Sequence, residues 1–207
     1  MHEYPEVQPQ LTVTNRARVL ERLSANVDDF VVLGQIPENM DLVALPFLEN
    51  PLVLAAHPEH PLAREKNIPI ERLANERFLL REPGSGTRSS TERLFAEQGL
   101  QLRPYMELGS GEAIKQAIMA DLGISIVPMG SLELELEAGR ITILDVEGFP
   151  MRRMWHSAHL GGKRLGLTAA TFLEFLVREG AKSAPAAAAA SPHEAAKAGR
   201  KEPRRRA

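Results

Sequence analysis

Arg77-Phe-Leu-Leu-Arg81 runs into Glu82-Pro-Gly-Ser-Gly-Thr-Arg88 and then into a segment that continues to Gln98 and closes at Gly99. The apolar trio between two arginines reads as a short strand, 77–81. Pro83, Gly84 and Gly86 break it. Residues 87–98 then predict a helix with Leu94 and Phe95 inward, ended by a glycine that tolerates the left-handed conformation. The same order recurs next. Residues 104–108 predict a strand, Glu107-Leu-Gly-Ser-Gly-Glu-Ala113 a glycine-rich turn, and 112–121 a second helix. Successive strand–turn–helix units predict an α/β fold, and in such folds the sheets are mostly parallel.

The rest of the chain extends this pattern in both directions. Residues 7–14 are strand-like, with Leu11 and Val13 on one face. Residues 16–25 place Ala17, Val19, Leu20 and Leu23 at helical spacing behind Asn15, a good N-cap. The apolar run 30–33 predicts a buried strand ending at Gly34. Further strands are predicted at 42–47, 52–56, 124–127, 141–146 and 154–160. The stretch beginning at His57 is too rich in proline for long elements. Residues 132–137 alternate Leu and Glu with period two, yet both are strong helix formers and Gly139 suits a stop, so a helix is expected. Residues 167–179 predict an amphipathic helix ending at Gly180.

Composition narrows the function. Hydrophobic residues make up 43% of the 207, enough for a core, and there is no cysteine, which excludes disulfides and thiolate metal sites. Residues 181–207 hold seven Lys/Arg and two Asp/Glu; the totals of 25 and 27 leave 18 and 25, a net of −7, for residues 1–180. That sign opposes long-range attraction to nucleic acid. The segment 181–207 reads as a disordered, basic Ala/Pro-rich tail. The opening residues carry no signal peptide, and no apolar run reaches the roughly 20 residues of a membrane helix, so a cytoplasmic location with no membrane partner is expected.

Two turns carry the chemistry. Glycines in 82–88 admit close backbone approach, Ser85 or Thr87 can cap the following helix, and the exposed amides and helix dipole favour an anion. An ordinary capped connector is the alternative. It is not a Walker loop, since no Gly-Lys-Ser/Thr follows. Ser110 stands at an equivalent turn, and Gly34-Gln35 follows a third strand. Ligands of parallel sheets gather at such carboxyl ends. Catalytic readings fare worse. No serine sits in a nucleophile elbow. His57 and His60 are spaced H-x-x-H, but Pro58 and Pro61 prevent one helix from presenting both rings, and no metal is expected. In the strand 154–160, Trp155 and His159 share a face and His156 lies opposite, with either histidine reading as structural.

Several stretches resemble the effector domains of LysR-type transcriptional regulators. From Tyr4 to Leu23 the chain is similar to their YP-x-V-x-L-x-V-x-N-x-x-x-V-x-x-L segment, and Asp28-Asp-Phe-Val-Val-Leu-Gly34 resembles the strand that follows. His57-Pro-x-His-Pro-Leu62, the 82–88 turn and Gly123-Ile-Ser-Ile-Val-Pro128 are family motifs. Leu144-Asp-Val-Glu-Gly-Phe-Pro-Met-Arg-Arg153, with Trp155, His159 and Gly162-Lys-Arg-Leu165, resembles the CbbR/RbcR branch, regulators of Rubisco and Calvin-cycle operons. Where that branch often has tyrosine after the tryptophan, this chain has His156.

The resemblance implies two Rossmann-like lobes of type 2 periplasmic-binding-protein form. Lobe I would comprise 1–56 plus 155–180, lacking its first strand and helix, and lobe II 57–154, with a ligand in the cleft between them. Against full-length relatives the winged helix-turn-helix domain is also absent. The implied effector-binding residues are Asn15, Gln35, Ser85, Gly86, Thr87, Arg88, Ser110, Val127 and Pro128. The implied effector is an anionic or phosphorylated small molecule, a Calvin-cycle metabolite or NADPH. No cofactor or catalytic role is implied, and homo-oligomers and DNA contact belong to the full-length family. A free-standing solute-binding protein of the same fold is the alternative.

Overall fold

The structure, a computed structural model, describes residues 6–182. In chain order they form α1 (Arg16–Ser24), β1 (Val31–Leu33), β2 (Leu42–Glu49), β3 (Leu52–Ala56), a 3-10 turn (Pro61–Arg64), α2 (Ile70–Leu73), β4 (Phe78–Arg81), α3 (Gly86–Glu97), β5 (Pro104–Leu108), α4 (Gly111–Met119), β6 (Ser125–Pro128), a second 3-10 turn (Met129–Ser131), α5 (Glu133–Glu137), β7 (Thr142–Ile143), β8 (Met154–Leu160) and α6 (Leu167–Lys182). Strands and helices alternate, as the α/β reading requires. No described helix is long and apolar enough to cross a membrane. The tail call on 181–207 falls outside the described residues except for 181–182, which belong to α6.

Contacts divide the chain into two units. Unit 1 contains 6–50, Glu82–Arg93 and 152–182; unit 2 contains Pro51–Arg81 and Leu94–Met151. The family-implied lobe I stops at 56 and resumes at 155, whereas the 82–93 segment here clusters with unit 1.

Unit 1 is built on a sheet ordered β1-β8-β2 with both pairings antiparallel. Side chains alternate across it. Val31, Leu33, Ala158, Leu42 and Ala44 pack with Leu23, Val19 and Leu20 of α1. On the opposite face α6 lies against β2. Its Gly180 sits so close to Phe47 that an added Cβ would lie 2.6 Å from Cδ2 of the Phe47 ring and closer still to the Phe47 carbonyl oxygen. The helix therefore does not stop at Gly180, as the sequence suggested. It continues to Lys182, and the glycine serves close packing.

Unit 2 has core on both faces of its sheet. The antiparallel order β6-β3-β7 is joined to the parallel pair β4-β5 by a bridge between Phe78 and Ile124. Even-numbered Leu52, Leu54 and Ala56 of β3 face one cluster with Phe78, Leu80, Phe95 and Ile126. Odd-numbered Val53 and Ala55 face another with Leu79, Ile114, Ile118 and Val127. All five residues of β3 are buried, which is the signature of a strand covered on both sides.

Three further expectations need correction. The sheets are not mostly parallel, because β8 returns antiparallel between β1 and β2, and β3 takes antiparallel neighbours on both sides. Residues 7–14 form no ladder; Leu11 and Val13 are 87% and 86% exposed, and without a neighbouring strand an alternating pattern cannot become one. The run 30–33 is buried on one face only, with Val32 exposed, because its sheet is covered unequally.

Candidate functional site

The implied residues fall into two groups. Asn15, Gln35, Ser85, Gly86, Thr87 and Arg88 lie in unit 1, whereas Ser110, Val127 and Pro128 lie in unit 2.

In unit 1 the N-termini of two helices meet. Asn15 caps α1, its side chain accepting from the Arg18 amide at 3.1 Å. Ser85 is buried and caps α3, its Oγ accepting from the Arg88 amide at 3.5 Å. The two ends are joined by the Ala17 amide, which donates to the Gly84 carbonyl at 3.1 Å. Gly84 is obligatory twice over: its φ is +89°, and a Cβ there would stand 2.9 Å from that of Ala17. The Arg16 side chain then runs past Gly86, its Cδ 3.3 Å from where a Cβ would be, and its Nε donates to the Gln35 carbonyl at 3.3 Å. Asn15, Gln35 and the 84–88 turn are thus brought together, with Arg16 as the strut.

The electrostatics of these ends are unusual. Helix N-termini carry partial positive charge and normally attract Asp or Glu into the first turn. Neither α1 nor α3 has an acidic residue there, and each has arginine instead. Arg88 pairs through Nε with Glu92 one turn on, at 2.7 Å. Arg16 pairs with no carboxylate among the described residues. The first amides of α3, those of Gly86 and Thr87, have no acceptor within the helix by construction. Together these groups favour an anion.

The unit 2 residues are placed differently. Ser110 is exposed and caps α4, its Oγ accepting from the Ala113 amide at 3.1 Å. That helix already has Glu112 in its first turn, its carboxyl held below the usual range by hydrogen bonds from Gln116 and Lys115. Val127 is buried in the core, so its side chain is committed to packing, and Pro128 pairs with Leu52 across β6 and β3.

The histidines outside this set divide. His57 Nδ1 accepts from the Glu59 amide and His60 Nδ1 from the Leu62 amide, so each closes its own turn. His159 Nδ1 lies 3.0 Å from the Leu160 carbonyl. His156, read as a satisfied structural residue, instead has its Nδ1 buried without a partner. No metal-binding cluster of His, Asp or Glu is present among the described residues.

Sequence reading missed Arg16, and a cue was available: a basic residue at the first helical position opposes the dipole preference. It also missed Arg153. With the Asn50 amide oriented to satisfy its surroundings, Oδ1 accepts from Arg153 Nη2 at 2.8 Å and from Trp155 Nε1 at 3.3 Å.

The LysR substrate binding domain family matches residues 1–181. The HTH-type transcriptional activator CmpR of Synechocystis is 47% identical over 84% of this chain and 57% of its own length. A RuBisCO operon transcriptional regulator of Acidithiobacillus ferrooxidans is 45% identical over 84% of this chain and 56% of its length. The chain therefore spans little more than half of these relatives. The solved regulatory domain of Synechocystis CcmR, in complex with 2-PG, superposes with a TM-score of 0.85 at 41% identity, covering 89% of this chain and 88% of that one. These relatives bear out the expected branch and the type 2 periplasmic-binding fold. The chain belongs to the LysR substrate-binding domain family.

Proposed function

We propose that this chain is the effector-sensing portion of a LysR-type transcriptional regulator of carbon-fixation genes, and that its effector is a phosphorylated or otherwise anionic metabolite. The observation that carries the reading is the acid-free meeting of the α1 and α3 N-termini in unit 1, with the Arg16 guanidinium laid across it. Two helix dipoles, the leading amides of α3 and a cation without a carboxylate partner favour negative charge at one turn. The solved CcmR regulatory domain in complex with 2-PG supports a small-molecule effector for this chain as well.

Asn15, Gln35, Ser85, Gly86 and Thr87 frame the anion. Arg88 adds charge from a side chain already paired with Glu92. Ser110, Val127 and Pro128 contribute on the strength of the family pattern, Val127 through its backbone. The role is sensing rather than catalysis. In this reading, DNA contact through a helix-turn-helix domain, homo-oligomer formation and a cytoplasmic location are expected of the full-length regulator.

Calorimetric titration of the chain with phosphoglycolate, ribulose bisphosphate and NADPH tests the reading, using wild type, Arg16→Ala and Thr87→Ala. One anion should bind the wild type, and Arg16→Ala should weaken it about tenfold or more, the usual consequence of losing a charge-assisted hydrogen bond. Equal affinity in all three proteins removes this turn from the site. Failure of every anion removes the effector class.

A further inference from the structure

Arg153, like Arg16, is a cation of unit 1 that no carboxylate neutralises among the described residues, and its surroundings are built to hold it still. It directly precedes β8, and its carbonyl accepts from the Asn50 amide at 2.7 Å. Asn50 is buried, 5% exposed, and its side-chain oxygen accepts from Nη2. The guanidinium lies 5.7 Å from the centre of the Trp155 ring, whose indole nitrogen donates to the same Asn50 oxygen. On the other side is the backbone of Gly34, where a Cβ would stand 3.1 Å from the Arg153 Cζ and Nε. A side chain at position 34 would push the guanidinium out of this place by a few tenths of an ångström.

A guanidinium has five N–H donors, and Asn50 is the one acceptor for them among the described residues. Burial also holds the Arg153 basicity below its ordinary range, the mark of a cation partly removed from water without a counter-charge. Arg22 and Arg88 in the same unit are each matched to a carboxylate. Gly34 and Gln35 are adjacent, and Arg16 donates to the Gln35 carbonyl. Standard backbone dimensions therefore keep the Arg16 and Arg153 guanidinium groups within about 15 Å of one another, both beside the Gly34–Gln35 turn.

We infer that Arg153 is a second cation of the effector site, binding a carboxylate or phosphate at the Gly34–Gln35 turn, so that the effector carries two anionic groups. This rests on the effector reading above and adds a requirement to it: a monoanionic compound engages only one of the two arginines.

Trp155 is the only tryptophan in the chain, so its emission reports directly on the group stacked over it. Phosphoglycolate, which carries a phosphate and a carboxylate, is titrated into wild type, Arg16→Ala, Arg153→Gln and Arg153→Lys, with calorimetry and tryptophan emission read in parallel and circular dichroism confirming the fold. Wild type should show a saturable emission change. Arg153→Gln should abolish that change and weaken binding at least tenfold, with Arg153→Lys between the two, since lysine keeps the charge and loses the planar fork. Wild-type affinity in folded Arg153→Gln, with binding still lost in Arg16→Ala, overturns this inference and leaves the proposed function standing. Calorimetric binding to wild type without any emission change overturns it too, and needs no variant to fold. No binding to wild type overturns both.

Discussion

Replacing Gly180 by alanine separates two readings of one glycine by the sign of the effect. If Gly180 were only a helix terminator placed inside a helix, alanine would stabilise α6 by up to about 1 kcal/mol through propensity. The structure opposes this. The new Cβ would lie 2.6 Å from a carbon of the Phe47 ring and closer to the Phe47 carbonyl, against a comfortable separation of roughly 3.5–4.0 Å between carbons. Either α6 moves away from β2 by about 1 Å, or Phe47, itself buried, must shift. Overpacking of this kind costs about 1–3 kcal/mol, and contact with backbone favours the upper part of that range. Setting the propensity gain against it leaves a net loss of about 1–2 kcal/mol. For a chain of this size that lowers the melting temperature by about 2–8 °C. Thermal unfolding followed by circular dichroism reads it directly. An unchanged or raised midpoint would refute the packing argument.

Two further outcomes concern other elements. Arg22 grips both carboxylate oxygens of Asp28 through Nε and Nη2, holding its carboxyl below the ordinary range, with the Lys163 charge adding to the effect. A depressed carboxylate stabilises above its unfolded value and loses that contribution as pH falls through the folded one. Asp28→Asn should therefore be less stable than wild type at neutral pH, and the gap should close below about pH 4 in acid titrations of stability; a gap independent of pH would exclude the ion pair as its source. Ser110→Ala removes the α4 cap and should cost about 1 kcal/mol in denaturant unfolding, while a neutral result would mean that water or a neighbour replaces the Ser110 oxygen without loss.

The parts of the fold legible in the sequence are those determined by neighbours along the chain. The Asn15 cap, the glycine stops after α3 and α5, and the limits of β8 follow from local propensity and spacing. Strand direction was not legible, because β8 pairs with β1 and β2 across more than a hundred residues and hydrophobic pattern carries no sign for parallel or antiparallel. The segment 7–14 has a strand's pattern without a strand's partner. The site divides in the same way. Ser85 and Ser110 were readable as caps because the amides that donate to their side chains lie three residues on. Arg16 and Arg153 owe their placement to Gln35, Gly34 and Asn50, which are distant from them in sequence.

The position of β8 in its sheet has a consequence for how the chain is made. Among the described residues β1 and β2 do not pair with each other; each pairs only with β8, which lies between them and comes last of the three in the order of synthesis. As the polypeptide leaves the ribosome from its N-terminus, both stretches of unit 2 are complete by residue 151, before the first residue of β8 emerges. Unit 2 can close early, while β1 and β2 wait as orphan strands with unmet backbone groups. A translational pause, or a stop codon, between residues 151 and 154 leaves a chain that holds every described residue of unit 2 and no β8 for β1 and β2 to pair with.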